Sequence, residues 1–458
     1  MLENSQTVPS RVRERGLSVR NPYIVGRWLR GSDHYGRHKL IDHLLHTEDQ
    51  ATWVVGTRRK GKTSLLRQLE WSVENDPDSR YVPLFWDLQA CESASDLAYE
   101  LFISVEDEAK RFHALGVDIP SLESLDVNRI LRSLQRTVSG HGKQLLLLID
   151  EAEALINVAR TDNRELARLR RSLQQGEHRT ILTATKQLMQ LNELMRDWLT
   201  SPFLFGFNLV NLWSLDVEAT EALIRQEQSE AQVAVDEGVM EDIIVLTHRH
   251  PYLTQFLCHR LFVPDTEDTG HLRPVEADDL HADHLLAGFL QVDYDHLSPT
   301  ERRILLAVAR HGVVDEQTLQ SDLDISSPAS LERFVYGMHK LGYLRQIAGG
   351  WAVGNEFLRF WVQENQASLA QQVHSSVSDD IVESLLREGQ RLELGYLRKE
   401  IVLLQAQLEE LSAQRDAYGD DVPLALSESL QKTRRELEVA RVQIRVLGQG
   451  GATTDVLL

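Results

Sequence analysis

The sequence predicts a protein of α/β class, in which a domain built on a parallel sheet is followed by several mainly helical units. Three stretches carry this prediction. Residues 53–66 place glycines between an apolar run and a helical pattern, and an apolar run at residues 145–149 ends in two acids. From Leu394 onward, apolar side chains recur at every third or fourth position, as they do in packed helices. With 458 residues, the chain is long enough for about three domains.

The first stretch fits the phosphate-binding P-loop pattern G-x-x-x-x-G-K-[ST]. This pattern is meaningful when a strand precedes it and a helix follows it. Residues 51–55 are β-prone and leucines then recur on one helical face, so both conditions hold, although a chance match in a glycine-containing turn is the alternative. Backbone N–H groups of such a loop turn toward phosphate oxygens, and the helix N-terminus favours anions. We therefore expect ATP or ADP to be bound by Gly56, Thr57, Arg59, Lys60, Gly61, Lys62, Thr63 and Ser64.

Lys62 and the two acids after the second stretch supply the expected catalytic chemistry. Lys62 would reach the β and γ phosphates, and the Thr63 hydroxyl would ligate Mg²⁺. A continuous apolar strand is typical of a parallel sheet that is buried on both faces and binds ligands at its carboxyl end. At that end, Asp150 would hold Mg²⁺ through water, and Glu151 would orient and deprotonate the attacking water. Asp150 taken alone also fits an N-cap for a helix over residues 152–159.

The composition is that of a globular protein in water, with 42% hydrophobic and 26% charged residues. No apolar run approaches the ~20 residues that a membrane span requires, and the N-terminus lacks the apolar core of a secretory signal. Cys91 and Cys258 are too few for a disulfide framework or a cysteine-based zinc site. We therefore expect a cytoplasmic protein without a membrane partner.

The charge is strongly acidic overall and unevenly distributed. A net charge of −20 argues against broad adsorption to nucleic acid or anionic lipid. Residues 1–40 hold eight Lys and Arg against three acids, whereas residues 264–295 hold nine acids and one arginine. Any contact with a polyanion would therefore favour the N-terminal end, where residues 1–20 form a basic arm. Ordinary solvated or nucleotide-facing arginines are the simpler explanation of these charges.

Two segments before the P-loop carry a family resemblance. Residues 21–26 read N-P-Y-I-V-G, and Y-G-R at residues 35–37 precedes a leucine-rich helical pattern. In this order, the segments resemble the STAND and archaeal-type ATPase branch of the AAA+ relatives. The resemblance implies an AAA+-like P-loop NTPase domain over residues 21–214, in which the stretch before the loop wraps the adenine. It implies a base pocket lined by Ile24, Val25, Gly36 and Arg37, although Gly36 alone also fits an ordinary turn.

The resemblance also implies a polar sensor at the end of the β-prone run 179–185. The family ends this strand with a T-G-S-like sequence, whereas this chain has T-A-T. Ala184 therefore departs from the family pattern. Thr185 is our candidate for the sensor and is counted with Lys62 and Glu151 as catalytic, although a threonine at a strand end often serves only as a loop hydrogen-bonder.

A helical lid domain is expected over residues 215–290. Within it, residues 248–255 read H-R-H-P-Y-L-T-Q and resemble the family sequence G-G-H-P-Y-L-x-Q. The resemblance implies that the turn bearing Pro251 approaches the nucleotide from above. His248 and Arg249 replace the two glycines, and Arg249 fits a phosphate sensor and a surface arginine equally well. The nearby histidines lack further ligands at metal-binding spacing, so we do not expect a metal there.

Residues 291–366 predict a winged-helix domain, preceded by a polar break at residues 264–270 that is expected to be a loop. Three helical patterns precede a hairpin pattern with two glycines at its tip. Such domains often bind DNA through the third helix. Residues 297–362 hold seven acids and seven Lys and Arg, so phosphate contacts should be weak. The resemblance implies instead that this domain packs on the nucleotide domain and reports the nucleotide state.

Residues 367–447 predict a helical coiled-coil arm. Apolar positions step by three and four residues from Leu394 to Leu411 and again from Leu430 to Leu447. Gly419 and Pro423 interrupt the pattern, which argues against one continuous rod, and an antiparallel hairpin is the simplest arrangement. Dimerisation between chains and two ordinary amphipathic helices are the alternatives. The tail at residues 448–458 is expected to be disordered.

These features predict an ATP-binding and ATP-hydrolysing switch of the STAND type, with slow regulatory turnover. The resemblance implies that ADP holds the winged-helix unit against the P-loop domain, and that ATP exchange permits assembly into a homo-oligomer. The coiled-coil arm would engage a protein partner or a second copy, and the resemblance implies a role in signalling or defence. An initiator-like AAA+ ATPase that binds DNA through the winged helix and residues 11–39 is the alternative, and a scaffold with structural ATP is a third interpretation.

Overall fold

The computed structural model describes most of the chain between residues 21 and 449. The described residues are 21–194, 203–204, 206–229, 232–265, 269–323, 325, 328–372, 379–418 and 423–449. The predicted basic arm lies outside them, as does the predicted disordered tail apart from its first two residues, which belong to the last helix. Within the described part of the chain, every helix is too short or too polar to cross a bilayer.

A five-stranded parallel sheet forms the centre of the N-terminal domain, which confirms the predicted α/β class. Its strands are β1 Ala51–Val55, β2 Tyr81–Asp87, β3 Gln144–Asp150, β4 Arg179–Ala184 and β5 Asn208–Asn211. Their order across the sheet is β2-β3-β4-β1-β5, and every neighbouring pair is parallel. The P-loop strand β1 and the acid-bearing strand β3 therefore flank β4, and all three present their carboxyl ends at one edge.

Helices cover both faces of this sheet. They are α1 His38–His46, α2 Lys62–Glu74, α3 Ala94–Asp107, α4 Ala109–Ala114, α5 Val127–Gly140, α6 Leu155–Thr161, α7 Asn163–Gln175 and α8 Gln190–Leu194. Alternate residues of β3 enter the two cores: Leu146 and Leu148 pack with α2, whereas Leu145 and Leu147 pack with α3 and α5. The leucine run is continuous because both faces of the strand are buried.

The predicted lid contains a small sheet as well as helices. The helices are α9 Val217–Arg225, α10 Glu237–Thr247 and α11 Pro251–Leu261, and the strands are β6 Gln232–Ala234, β7 Phe262–Pro264 and β8 Thr269–Leu272. The lid predicted as helical therefore also contains strands, and the two ends of the stretch 264–270, predicted as a loop, belong to β7 and β8. Antiparallel pairing of β7 with β8 brings the Phe262 ring against Gly270, where a Cβ would lie 2.3 Å from the ring. A glycine in a polar stretch thus marks close strand contact rather than a loop.

The acidic stretch also contains a helix that was not predicted, α12 His284–Asp295. It leads into α13 Pro299–His311, α14 Glu316–Leu323, α15 Pro328–Leu341, β9 Leu344–Ile347, β10 Gly350–Val353, α16 Glu356–Glu364 and α17 Gln366–Gln371. We call residues 299–364 the three-helix unit. Its order of three helices and a hairpin is the one predicted for a winged helix. As predicted, α13 starts at a proline, and Ser298 and Glu301 form a capping box there.

Two long helices, α18 Asp379–Tyr418 and α19 Leu424–Gln449, pack against each other and form the arm. Leu397 of α18 and Ala440 of α19 share an apolar cluster with Tyr336 of α15. The 26 residues of α19 span about 39 Å, whereas the five residues between the helices reach about 20 Å at most. The two helices must therefore run antiparallel.

His178 is a buried histidine next to β4 that has no hydrogen-bond partner within the described residues on either ring nitrogen. Burial lowers its pKa to about 4. Because the unfolded chain binds this proton at a pKa of about 6.5, folding stability is lost as the pH falls from 6.5 toward 4.

Replacing His178 with leucine is expected to remove this acid sensitivity. At pH 5 the variant should be more stable than the wild type by about 2 kcal/mol, and the difference should vanish near pH 8. Urea unfolding at the two pH values measures the effect, with exposed His141 replaced by leucine as the control. An equal gain at both pH values would show that packing, rather than protonation, is responsible.

Candidate nucleotide site

The P-loop connects β1 to α2 and has the geometry that its glycines permit. Gly61 precedes α2 with a φ of 92°, in the left-handed region that favours glycine. Gly56 follows β1, where a Cβ would lie 3.2 Å from the Cβ of Leu212. The Lys62 ammonium donates to the carbonyl oxygens of Gly56 and Thr57, at 3.2 Å each. The lysine charge is therefore placed inside the loop, at the N-terminus of α2.

Asp150 accepts hydrogen bonds from residues of the P-loop helix α2 and of the neighbouring strand β4. The Thr63 hydroxyl donates to Asp150 Oδ2 at 2.5 Å, and the Thr183 hydroxyl donates to Asp150 Oδ1. Carboxylate and hydroxyl oxygens suit Mg²⁺, which is usually bound by one or two such groups together with phosphates and water. The donor set of Thr63 and Asp150 therefore fits the metal predicted for it. Both Asp150 oxygens are engaged in this way, so the carboxylate does not serve as a helix N-cap.

Glu151 lies at the start of a short 3-10 turn, Ala152–Ala154, with a left-handed φ of 51°. Burial raises its pKa, and the neighbouring carboxylate of Glu153 adds to the effect, while the Lys62 ammonium opposes it. A carboxylate with a raised pKa is a better base than a fully solvated one. The position and the electrostatics of Glu151 therefore suit the predicted base.

The structure places Thr185 beside this cluster but gives its groups other partners. The Thr185 backbone N–H donates to Glu153, and its hydroxyl accepts from the Gln187 N–H, capping the turn Lys186–Met189. Thr183, two residues earlier on β4, contacts the magnesium-directed acid. The sequence analysis did not select Thr183. The available signal was the strand pattern itself, because alternate residues of T-A-T share one face.

The segment predicted to wrap the adenine lies between the P-loop and the lid. The Ile24 N–H donates to the Gln255 side chain of α11 at 3.2 Å, and Val25 packs at the edge of the core. Gly36 has a φ of 72°, and a Cβ on it would lie 2.6 Å from the Cβ of Ala219. A glycine is thus required where this segment meets α9.

Arg37 ties the same segment to the P-loop. Its guanidinium donates to the carbonyl oxygens of Lys60 at 3.0 Å and of Trp213 at 2.9 Å. Burial lowers its pKa to about 10, so the group remains charged at neutral pH. The side chain therefore organises the loop backbone next to the predicted base pocket.

The lid turn has the left-handed backbone conformation that the two glycines expected from the resemblance would favour. His248 and Arg249 have φ values of 48° and 58°, both in the left-handed region. Pro251 then occupies the first turn of α11, where its missing N–H is tolerated. The backbone carbonyl of Arg249 accepts from Leu215 at 3.0 Å. The chain thus keeps the turn and replaces the glycines with side chains that rarely adopt this conformation.

The lid and the three-helix unit close over the loop. The cavity between them has a volume of about 40 Å³ and is bordered by Thr57, Arg58, Arg59, His250, Asp293 and Tyr343, among others. The Arg59 guanidinium lies over the Phe289 ring of α12, 4.1 Å from its centroid. The loop residues Thr57, Arg58 and Arg59 thus border the lid, α12 and the three-helix unit.

Comparisons with known proteins agree with this geometry. The family model described as AAA domain matches residues 45–191. None of the curated proteins matches the chain. Among solved structures, the chain is similar to the Walker-type ATPase PABY2304 of Pyrococcus abyssi, with 16% identity, a TM-score of 0.54, and coverage of 74% of this chain and 99% of that one.

Two further structures, both from Aeropyrum pernix, are more distant. The ORC2 protein has 11% identity, a TM-score of 0.41, and coverage of 76% of this chain and 97% of that one. The ORC1 protein, solved with DNA, has 12% identity, a TM-score of 0.34, and coverage of 75% and 95%. The likeness to the Pyrococcus protein shows a shared fold, and the domain match covers both the P-loop and the acid-bearing strand. Residues 45–191 thus match the AAA domain, and together with the shared fold this match supports ATPase activity.

Proposed function

We propose that this ATPase is a nucleotide-operated switch of the STAND type, in which the lid, the three-helix unit and the arm hold the P-loop domain closed until nucleotide exchange releases them. In the proposed reaction, Lys62 contacts the β and γ phosphates, Thr63 and Asp150 hold Mg²⁺, and Glu151 orients the attacking water. Bound Mg²⁺ would neutralise charge that develops on the phosphates. Assembly into a homo-oligomer, or capture of a protein partner by the arm, would follow release.

One buried ion pair between the ATPase domain and the three-helix unit carries this proposal. The Lys186 ammonium contacts the Glu301 carboxylate, and the two side chains are 4% and 1% exposed. Lys186 directly follows Thr185 at the end of β4, whereas Glu301 caps α13 by accepting from the Ser298 N–H at 2.8 Å. Burial lowers the pKa of Lys186, and Glu301 opposes the shift. The strand that contacts Asp150 is therefore connected to the unit that closes over the loop.

The position of α15 supports a switch more than a DNA-binding role. The Lys340 ammonium lies over the rings of Trp213 and Tyr336, 5.6 Å and 5.2 Å from their centroids. Tyr336 also packs against the arm cluster around Leu397. The helix that would enter a DNA groove is thus covered on one side by the ATPase domain and on another by the arm.

The arm also contacts β5 and the turn Lys186–Met189 of the ATPase domain, and polar side chains attach it elsewhere. Asp379 accepts from the Thr300 N–H and hydroxyl, at 3.0 Å and 2.9 Å. Lys39 of the ATPase domain forms an ion pair with Glu436 at 3.3 Å. The surface Lys39 pair contributes little on its own. The arm is therefore connected to both the three-helix unit and the ATPase domain, so a movement of one relative to the other would change its position.

Replacing Glu301 with glutamine tests the proposal. Breaking a buried ion pair by removing one partner costs about 3–5 kcal/mol, because Lys186 is left buried without its counter-charge. We expect the variant to open without added nucleotide, with a larger radius of gyration in small-angle scattering and a higher mass by light scattering in the presence of a non-hydrolysable ATP analogue.

The matched control replaces Glu332 with glutamine, because this acid is exposed on α15. It should behave as the wild type with ADP and with the analogue. If the Glu301 variant kept the wild-type radius and mass under every nucleotide condition, the ion pair would not hold a closed state and the switch would lose its main support.

A further inference from the structure

Helix α12 places a carboxylate on the backbone of the P-loop. The Arg58 N–H donates to Asp293 Oδ1 at 3.2 Å. Arg58 is one of the four variable residues between Gly56 and Gly61, so its N–H belongs to the loop that the sequence pattern assigns to phosphate binding. A carboxylate and a phosphate oxygen are both anionic acceptors, and both suit this position near a helix N-terminus.

The charges around Asp293 are those that a phosphate would meet. Burial raises its pKa to about 6, and the Arg58 N–H and the Lys62, Arg58 and Lys60 cations oppose that shift. The group is therefore an anion at pH 7.5. It faces the Lys62 ammonium that is expected to reach the β and γ phosphates, so Asp293 and a nucleotide would use the same positive region.

Three consecutive loop residues are engaged by the elements that close over them. Arg58 binds Asp293, Arg59 lies over the Phe289 ring, and the Lys60 ammonium lies 2.8 Å from the position that a Cβ of Gly342 would take. Gly342 has a φ of 85°, which favours glycine, and a Cβ at this position would force the Lys60 ammonium to shift. The loop is thus held by α12 and by the turn after α15 together.

Asp293 is also connected to the three-helix unit through its own backbone. The Tyr343 hydroxyl donates to the Asp293 carbonyl oxygen at 3.1 Å. Tyr343 follows the turn at Gly342 and precedes β9. Displacement of Asp293 from the loop would therefore disturb the contact between α12 and the three-helix unit.

We propose that Asp293 is a built-in phosphate surrogate: its carboxylate occupies a phosphate-binding N–H of the P-loop in the closed arrangement, and a nucleotide phosphate must displace it to bind. This inference rests on the proposed nucleotide function of the loop and adds a regulatory contact to it. Competition for one N–H makes nucleotide binding and closure of α12 over the loop antagonistic.

Replacing Asp293 with alanine tests the competition directly. The closed arrangement would then leave the Arg58 N–H without its acceptor, and a phosphate would gain that donor without expelling a carboxylate. A hydrogen bond to a charged group has a net value that corresponds to about a tenfold change in affinity or more, so ADP should bind about tenfold more tightly. Calorimetric titration of the full chain with ADP measures this.

The matched control replaces Asp295 with alanine on the same helix. Its carboxylate is half exposed, accepts a hydrogen bond from Gln291 and lies 3.9 Å from the Arg302 guanidinium. We expect it to leave ADP affinity unchanged. If the alanine variant fails to fold, Asp293→Asn is the second test, because asparagine keeps the shape and an acceptor oxygen but removes the charge. The affinity of this variant for ADP should lie between those of the wild type and the alanine variant.

Titration with adenosine distinguishes competition at the phosphate position from a general opening of the lid. Adenosine lacks phosphates, so its affinity should not change in the Asp293 variants, and the ratio of ADP to adenosine affinity should rise about tenfold. Equal tightening of both ligands would show that Asp293 only holds the lid shut, and unchanged or weaker ADP binding would also overturn the surrogate. If the Lys62→Ala variant binds ADP with the wild-type affinity, the proposed nucleotide site itself is rejected, and this outcome is distinct from rejection of the surrogate.

Discussion

Replacing Lys62 with alanine is expected to abolish ATP and ADP binding. The ammonium lies among the carbonyl oxygens of Gly56 and Thr57 and faces the position where the β and γ phosphates would be held. Charge-assisted hydrogen bonds to phosphate are about twice as strong as neutral ones. We therefore expect a loss of affinity of at least about a hundredfold, measured by calorimetric titration with each nucleotide.

The variant also removes two hydrogen bonds that fill the loop, so its folding must be examined separately. Lys110→Ala, an exposed lysine on α4, is the control for loss of one positive charge. Thermal unfolding without nucleotide measures the stability lost with these two hydrogen bonds, and only the wild type and the Lys110 variant should gain stability on addition of ADP. Equal nucleotide retention by the Lys62 variant would reject the assignment of the site.

Replacing Glu151 with glutamine is expected to preserve ATP binding and to slow hydrolysis by about a hundredfold or more, the range typical of lost general-base catalysis. Glutamine keeps the shape of the side chain but cannot accept the proton of the attacking water. Burial and Glu153 raise the pKa of Glu151. The wild-type rate should therefore rise with pH over a range that lies above the usual pKa of a glutamate. Phosphate release under single-turnover conditions measures the step.

The same variant should accumulate the ATP-bound form, and light scattering should then detect the assembled state with ATP itself rather than only with an analogue. Glu123→Gln, an exposed acid remote from the P-loop, is the control and should hydrolyse ATP at the wild-type rate. A Glu151 variant with undiminished turnover would place the base elsewhere, and Glu153 would then be the next residue to test.

The parts of the structure that follow a local pattern could be predicted from the sequence. The P-loop, the leucine-rich β3 and the capped start of α13 each depend on neighbouring residues, because strand burial, glycine conformation and helix capping are local effects. The contact between Thr63 and Asp150 could also be predicted, because ligands of parallel sheets bind at the carboxyl ends of the strands.

The parts that were missed were hidden by composition or depend on contacts between distant residues. The acidic composition of residues 264–295 concealed α12, although Leu286, Leu290 and Tyr294 recur at helical spacing and are buried in the core. The strand pattern places Thr183 and Thr185 on one face, but the contact of Thr183 with Asp150 depends on the sheet order, which places β4 beside β3. Asp293 reaches Arg58 across 235 residues, and no periodic pattern encodes such a contact.

The length of the arm has a mechanical consequence. The 40 residues of α18 span about 60 Å, and the cluster of Leu394, Leu397 and Ile401 that packs with Tyr336 of α15 lies near the middle of this helix. The part of α18 from Ile401 to Tyr418 extends about 26 Å beyond the cluster, so a rotation of about 10° there displaces the end of the helix by about 4 Å. A small rotation where the arm meets α15 can thus become a displacement of several ångströms at the far end of the arm.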